Sequence, residues 1–274
     1  MKNLNLEPLS FTWPVPESGF QWQKLIAQPL FREPESTPSD ALVRRSPGDS
    51  EIQYCPMDEQ ELFLKFAACQ PRQEEILSFA NRYGLLNGRT SFVRSTIIPS
   101  QIVFGDTLDE WIEEIRSIND AMDLWRALVV SDAPARLKKR IQWLPKVIRW
   151  TSAAGGTTIL RRNDSPCDEW TAGDLITPAK FFLAEKINQG VASRVVPRLT
   201  VDSVGGKIRR SLRAANLAGV IWYQFYSAFT GETRLGLCAS CELPMPYVRK
   251  TKRMHSWCSN KKRQAKFKEN QANG

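Results

Sequence analysis

The sequence predicts an α+β protein with a mainly helical body, small β-hairpin elements and a C-terminal zinc-finger module. Three observations carry this. Apolar residues recur every three or four positions through much of residues 58–231. Short β-branched runs bounded by Gly or Pro interrupt those stretches. Three of the six cysteines and the only histidine fall within residues 238–258.

The chain has 274 residues, 42% hydrophobic and 24% charged, which suits a globular protein with a real core and excludes a disordered one. Residues 1–14 are polar and broken by Pro8 and Pro14, so no leader is expected. A membrane span needs roughly 20 apolar residues. The best candidate, 217–229, is shorter and carries Gln224. The expectation is a cytoplasmic protein without membrane contact.

Taken in order, residues 1–57 read as an extended, loop-rich segment with short pieces pinned by Phe11, Trp13, Phe20 and Trp22. Within it, Glu33 to Ser50 is rich in Pro, Ser and charge and reads as a loop. Residues 58–231 form the predicted helical body. Leu62, Phe63 and Phe66 make one stripe; Ile76, Leu77 and Ala80 make another, stopped at Gly84. Ser91 to Val103 reads as holding a short strand.

The clearest helix starts at Thr107, which has capping-box spacing to Glu110. Trp111, Ile115, Ile118, Met122 and Trp125 fall on its buried face, while Glu113 and Glu114 read as solvent-facing. Asp132 and Pro134 start another helix that Pro145 kinks or ends. Arg136, Lys138, Lys139, Arg140, Lys146 and Arg149 read as one face of an amphipathic helix, with an extension of a nucleic-acid footprint as the alternative. Gly155 to Leu160 suggests a strand, Thr177-Pro178 a helix start, and 194–201 with 207–212 a hairpin. Leu217 to Phe229 is apolar almost all round and reads as a buried helix ended by Gly231.

Residues 232–274 form the third segment. Cys238 and Cys241 flank two residues; 13 residues later come His255 and Cys258. Zinc takes four N and S ligands in a tetrahedron. Two residues between cysteines let a tight turn aim both sulfurs at one ion, and the 13-residue gap suffices for a hairpin that returns the second pair. The competing reading is structural or redox thiols beside a solvated histidine. Cys55, Cys69 and Cys167 lie far apart, and Cys69 reads as a small hydrophobe.

The charge follows the same segment. Arg249, Lys250, Lys252, Arg253, Lys261, Lys262, Arg263, Lys266 and Lys268 occupy residues 249–268 without an acidic neighbour. Setting these nine aside from the 38 basic residues leaves as many as the 29 acidic ones, so the net +9 belongs to the tail. With Tyr247, Trp257 and Phe267 interleaved, the pattern suits phosphate tracking with stacking residues. A solvated tail and a clamp for an acidic protein remain open.

Leu217 to Phe225, Cys238-x2-Cys241, Trp257-Cys258-Ser259 and Arg263-Gln264-Ala265 together resemble the C-terminal half of bacterial proteins with a CGNR-type zinc finger behind a helical domain. Ile76 to Leu86 and the Trp111 helix fit the same family, so the resemblance covers most of residues 60–268; only the finger motif is specific. Those proteins are described as candidate stress-induced transcriptional regulators. The chain departs from them twice. It lacks Cys-Gly-Asn-Arg, and Lys262 stands where the family has its fourth cysteine. His255 is read as the substitute.

The expected function is nucleic-acid binding, DNA or RNA, in a regulatory role. The zinc ligands are Cys238, Cys241, His255 and Cys258, and the nine basic residues form the contact face. The alternative is a protein-interaction subunit of a larger assembly, with partners on the helical body and zinc purely structural. A zinc-dependent enzyme ranks behind both, because the cluster leaves no second histidine to act as base.

Overall fold

In a computed structural model, the described residues are 11–27, 37–46, 48–59, 61–88, 90–94, 101–129, 132–153, 155–164, 166–201, 208–231, 235–240, 244–246, 254, 258–260 and 263–264. The elements in chain order are β1 (Trp13–Pro16), β2 (Phe20–Ala27), β3 (Ser39–Arg44), β4 (Glu51–Tyr54), α1 (Leu62–Ala67), α2 (Gln73–Tyr83), β5 (Thr90–Arg94) and β6 (Gln101–Thr107). There follow α3 (Leu108–Val129), α4 (Ala133–Lys138), β7 (Ile141–Trp143), β8 (Val147–Thr151), β9 (Thr157–Arg161) and α5 (Ile176–Val191). The last are β10 (Val195–Val201), β11 (Ile208–Ala214), α6 (Leu217–Phe229), β12 (Leu235–Leu237) and β13 (Pro244–Pro246).

The protein is α+β, but the expectation of a mainly helical body is wrong. Strands β2, β3, β6 and β5 close into an antiparallel barrel, and β7, β8 and β9 form a three-stranded sheet. Three two-stranded sheets, β1–β4, β10–β11 and β12–β13, complete the β structure among the described residues. Part of the stretch read as a loop, Glu33 to Ser50, holds β3. Its Ala41, Leu42 and Val43 are all buried. Ala41 and Val43 enter the barrel core with Leu25, Ala27 and Phe92, while Leu42, on the other face, is covered too. A strand covered on both sides shows no period-2 alternation, so the usual signal is missing.

The strongest helical periodicities do give helices. Thr107 and Glu110 form the capping box: the Thr107 N–H donates to Glu110 Oε2 at 2.6 Å, and the Glu110 N–H donates to Thr107 Oγ1 at 3.2 Å. Trp111, Ile115, Ile118, Met122 and Trp125 are buried along α3. Phe66 and Phe79, from α1 and α2, pack on the Trp111 ring at centroid distances of 6.1 and 6.0 Å. Gly84 ends α2 at φ +92°, a backbone conformation that favours glycine.

The second basic stretch is not one helix face. Helix α4 stops at Lys138, and its chain continues into β7, leaving Arg149 on β8. Arg126 and Arg136 lie against Asp123 and Asp132 at 2.6 and 3.3 Å, around a recess of about 290 Å³ with Trp150 in its wall.

The chain divides into two compact units, residues 1–119 with 185–224, and residues 120–184 with 225–274. The first contains the barrel and the β10–β11 ribbon. The second contains the β7–β8–β9 sheet and the cysteine segment. No helix among the described residues is long and apolar enough to cross a membrane.

Candidate metal centre and nucleic-acid interface

The cysteine segment opens with a small hairpin. Strand β12 pairs antiparallel with β13, with Leu235 opposite Pro246 and Leu237 opposite Pro244. The turn between the strands therefore begins at Cys238 and carries the Cys-x2-Cys spacing. Cys238 is almost fully buried and packs in one cluster with Cys258, with Met254 against them. These cysteines are 20 positions apart in sequence, so the fold brings together one member of each predicted ligand pair. Residues 258–260 and 263–264 are helical.

Cys241 and His255, the other two predicted ligands, lie outside the described residues. Among those described, no group of three or more His, Cys, Asp or Glu could hold a metal. The predicted zinc-finger module is thus seen only as a two-stranded hairpin with a two-cysteine cluster. Of the nine predicted contact residues, Arg263 is described and exposed. Arg249, Lys250, Lys252, Arg253, Lys261, Lys262, Lys266 and Lys268 lie outside the described residues.

The remaining cysteines behave differently. Burial pushes the Cys69 thiol up to about 11, so at neutral pH it is a protonated core side chain. Burial also raises Cys167, with Asp164 and Asp168 adding to the rise. Neither is prepared to act as a nucleophile.

Two polar clusters in the first unit escaped sequence reasoning. Glu114, read as solvent-facing, is buried on α3. Its two oxygens accept from Arg194 at 2.7 and 2.8 Å, a bidentate pair, and Trp222 Nε1 also donates to it. Gly190 makes room for this: a Cβ there would lie 2.0 Å from the Trp222 ring. The adjoining cleft, about 340 Å³, is lined by Asn87, Glu110, Glu113 and Gln189. With both Glu114 oxygens bound to the guanidinium, the cluster serves as a tie between α3, α6 and the end of α5. The signal that could have found it is the single Glu inside the apolar stripe of α3.

The second cluster is Asp106, fully buried on β6. It accepts N–H bonds from Leu86 and Gly88 at 2.7 Å each and from Asn87 at 3.2 Å, fixing the loop after α2. Asn216 Nδ2 donates to Asn87 Oδ1, and Asn216 Oδ1 accepts from the Gly219 N–H, capping α6 onto the same loop. Burial pushes Asp106 up to about 7; the three N–H bonds oppose the rise and the Glu110 charge adds to it. A carboxyl raised above its unfolded value stabilises the fold fully below about pH 4, and that contribution is lost as pH rises through 7. Urea melts at pH 4.5 and 7.5 should show this fall for the wild type. Asp106→Asn, which turns an N–H toward N–H donors, is expected to be less stable at low pH and to lose the pH dependence.

No family model matches the chain, and no curated protein or solved structure is significantly similar to it. The likeness to CGNR-type proteins rests on the quoted residues alone.

Proposed function

We propose that the protein binds nucleic acid through a C-terminal segment held by zinc, with Cys238, Cys241, His255 and Cys258 as ligands. The observation that supports this reading is the burial of Cys238 and Cys258 in one cluster beyond a hairpin whose turn opens on Cys238. Thiolates suit zinc, and a tetrahedral set completed from Cys241 and His255 would staple a segment too short to build its own core. The stapled segment holds nine cations without a carboxylate between them. Such a surface neutralises phosphates and releases their counterions. A regulatory role in transcription follows from the family likeness.

The test is a fluorescence-anisotropy titration of labelled DNA and RNA at about 50 and 200 mM salt, a range over which six or more phosphate contacts change affinity about 10³-fold or more. The full chain should bind with a steep salt dependence, and a chain ending at residue 231 should lose most of the affinity. Absence of binding at low salt, or binding untouched by the truncation, contradicts the reading.

A further inference from the structure

Strands β10 and β11 pair with no other strand among the described residues and form a free-standing ribbon. Its register puts Val196 opposite Arg213 and Arg198 opposite Ser211. Side chains alternate between faces, so Arg198 and Arg213 share one face as diagonal neighbours. Both are exposed. Arg44, Arg126, Arg136 and Arg194 each lie against a carboxylate; among the described residues none pairs with Arg198 or Arg213. The ribbon sequence, 195–214, holds five basic residues, Arg198, Lys207, Arg209, Arg210 and Arg213, against the single Asp202. This second concentration of charge is invisible in a whole-chain count, because acidic residues elsewhere offset it.

Arg198 and Arg213 line a cleft of about 590 Å³ together with residues 11–14. There Phe11 and Trp13 stack, with ring centroids 5.3 Å apart and planes 24° from parallel. Trp13 is pinned by donating from Nε1 to the Leu85 carbonyl at 3.0 Å, and Phe11 packs on the cluster of Ala214 and Val220. The cleft thus joins two guanidinium groups, without carboxylate partners among the described residues, to a fixed aromatic pair. A partner that fits the cleft carries closely spaced anions beside a flat π face. A nucleic-acid strand does: phosphates meet the cations and a base lies against a ring.

We propose that this cleft is a single-strand binding site, in which Arg198 and Arg213 take backbone phosphates and an unpaired base lies against the Phe11–Trp13 pair. The site deepens the nucleic-acid reading and rests on it. On the ribbon's other face Leu199, Val201 and Ile208 are 66, 68 and 71% exposed.

The test uses the full chain with a labelled (dT) oligonucleotide of about 20 residues, which spans a typical single-strand site size of 4–16 nucleotides, and a blunt duplex of equal length. Arg198→Gln/Arg213→Gln should weaken single-strand binding about tenfold and reduce the slope of log affinity against log salt by about 1.4, two contacts at roughly 0.7 each. Phe11→Leu keeps the apolar packing and removes the ring; it should weaken the single strand at least fivefold, about the low end for one stacked base, and leave the duplex unchanged. Arg198→Lys/Arg213→Lys should restore the slope, which a merely misfolded ribbon would not allow. A tail variant, Arg263→Gln/Lys266→Gln/Lys268→Gln, separates the two readings. If it loses binding while the ribbon and Phe11 variants keep affinity and slope, the cleft is not a site and the general reading stands. If the wild type binds neither probe, both fall. Equal losses on single strand and duplex contradict the unpaired-base site, as does salt-insensitive self-association through the ribbon with nucleic-acid affinity unchanged.

Discussion

Cys258→Ser is expected to release the bound zinc and to weaken nucleic-acid binding at least tenfold at about 100 mM salt, as loss of several ordered phosphate contacts requires. Structural zinc contributes on the order of 10–16 kcal/mol in small stapled modules, and serine is a poor replacement for a thiolate. Cys258 is buried against Cys238, so its removal should also undo the packing of Met254 and expose residues 235–264 to protease. The barrel core of Leu25, Ala27, Ala41, Val43 and Phe92 shares none of these residues. Its melting transition should stay within a few degrees of wild type. Cys69→Ala is the matched control: it removes a buried thiol outside the cluster, costs stability, and leaves metal content and nucleic-acid affinity unchanged.

Glu114→Ala should destabilise the fold by about 3 kcal/mol, the lower end for breaking a buried pair on one side only. The side chains of Glu114 and Arg194 are 10% and 27% exposed, so the guanidinium keeps some water when its partner is gone. Trp222, nearly fully buried, would lose the acceptor for its ring N–H. Glu114→Gln should lose less, because its oxygen can still accept from Trp222. In a double-mutant cycle with Arg194→Ala, the two losses should be strongly non-additive. Urea melts followed by tryptophan fluorescence measure all four. Additive losses below about 0.5 kcal/mol each, the scale of an ordinary surface change, would reduce the cluster to a surface ion pair.

Legibility in the sequence followed the physics of each element. Helix α3 was readable because one face is apolar and the other charged over 22 residues, and Thr107 with Glu110 marks its start. Helix α6 was readable to the residue, because an apolar run between Asn216 and Gly231 has one sensible reading. The barrel was not. Strand β3 is buried on both faces, and closure depends on β2 pairing with β5, as in Ile26 with Val93, 67 positions apart, which no local pattern reports. Glu114 was misread for a related reason: its neighbour Glu113 does face solvent, and only Arg194, 80 residues on, tells them apart. In the candidate site, the spacing of Cys238 and Cys258 was legible from ligand chemistry, and the two are found together. The ribbon cleft was not, since it needs the register that sets Arg198 beside Arg213 and the fold that brings Phe11 to the same cleft.

Nucleic-acid binding by the C-terminal segment depends most on the metal. Elemental analysis of the purified full chain and of His255→Ala tests it directly. One zinc per chain in the wild type, with a substantial loss in the variant, is the predicted result. A metal-free wild type with reduced, accessible Cys238 and Cys258, or full zinc retention without His255, would contradict the four-ligand site.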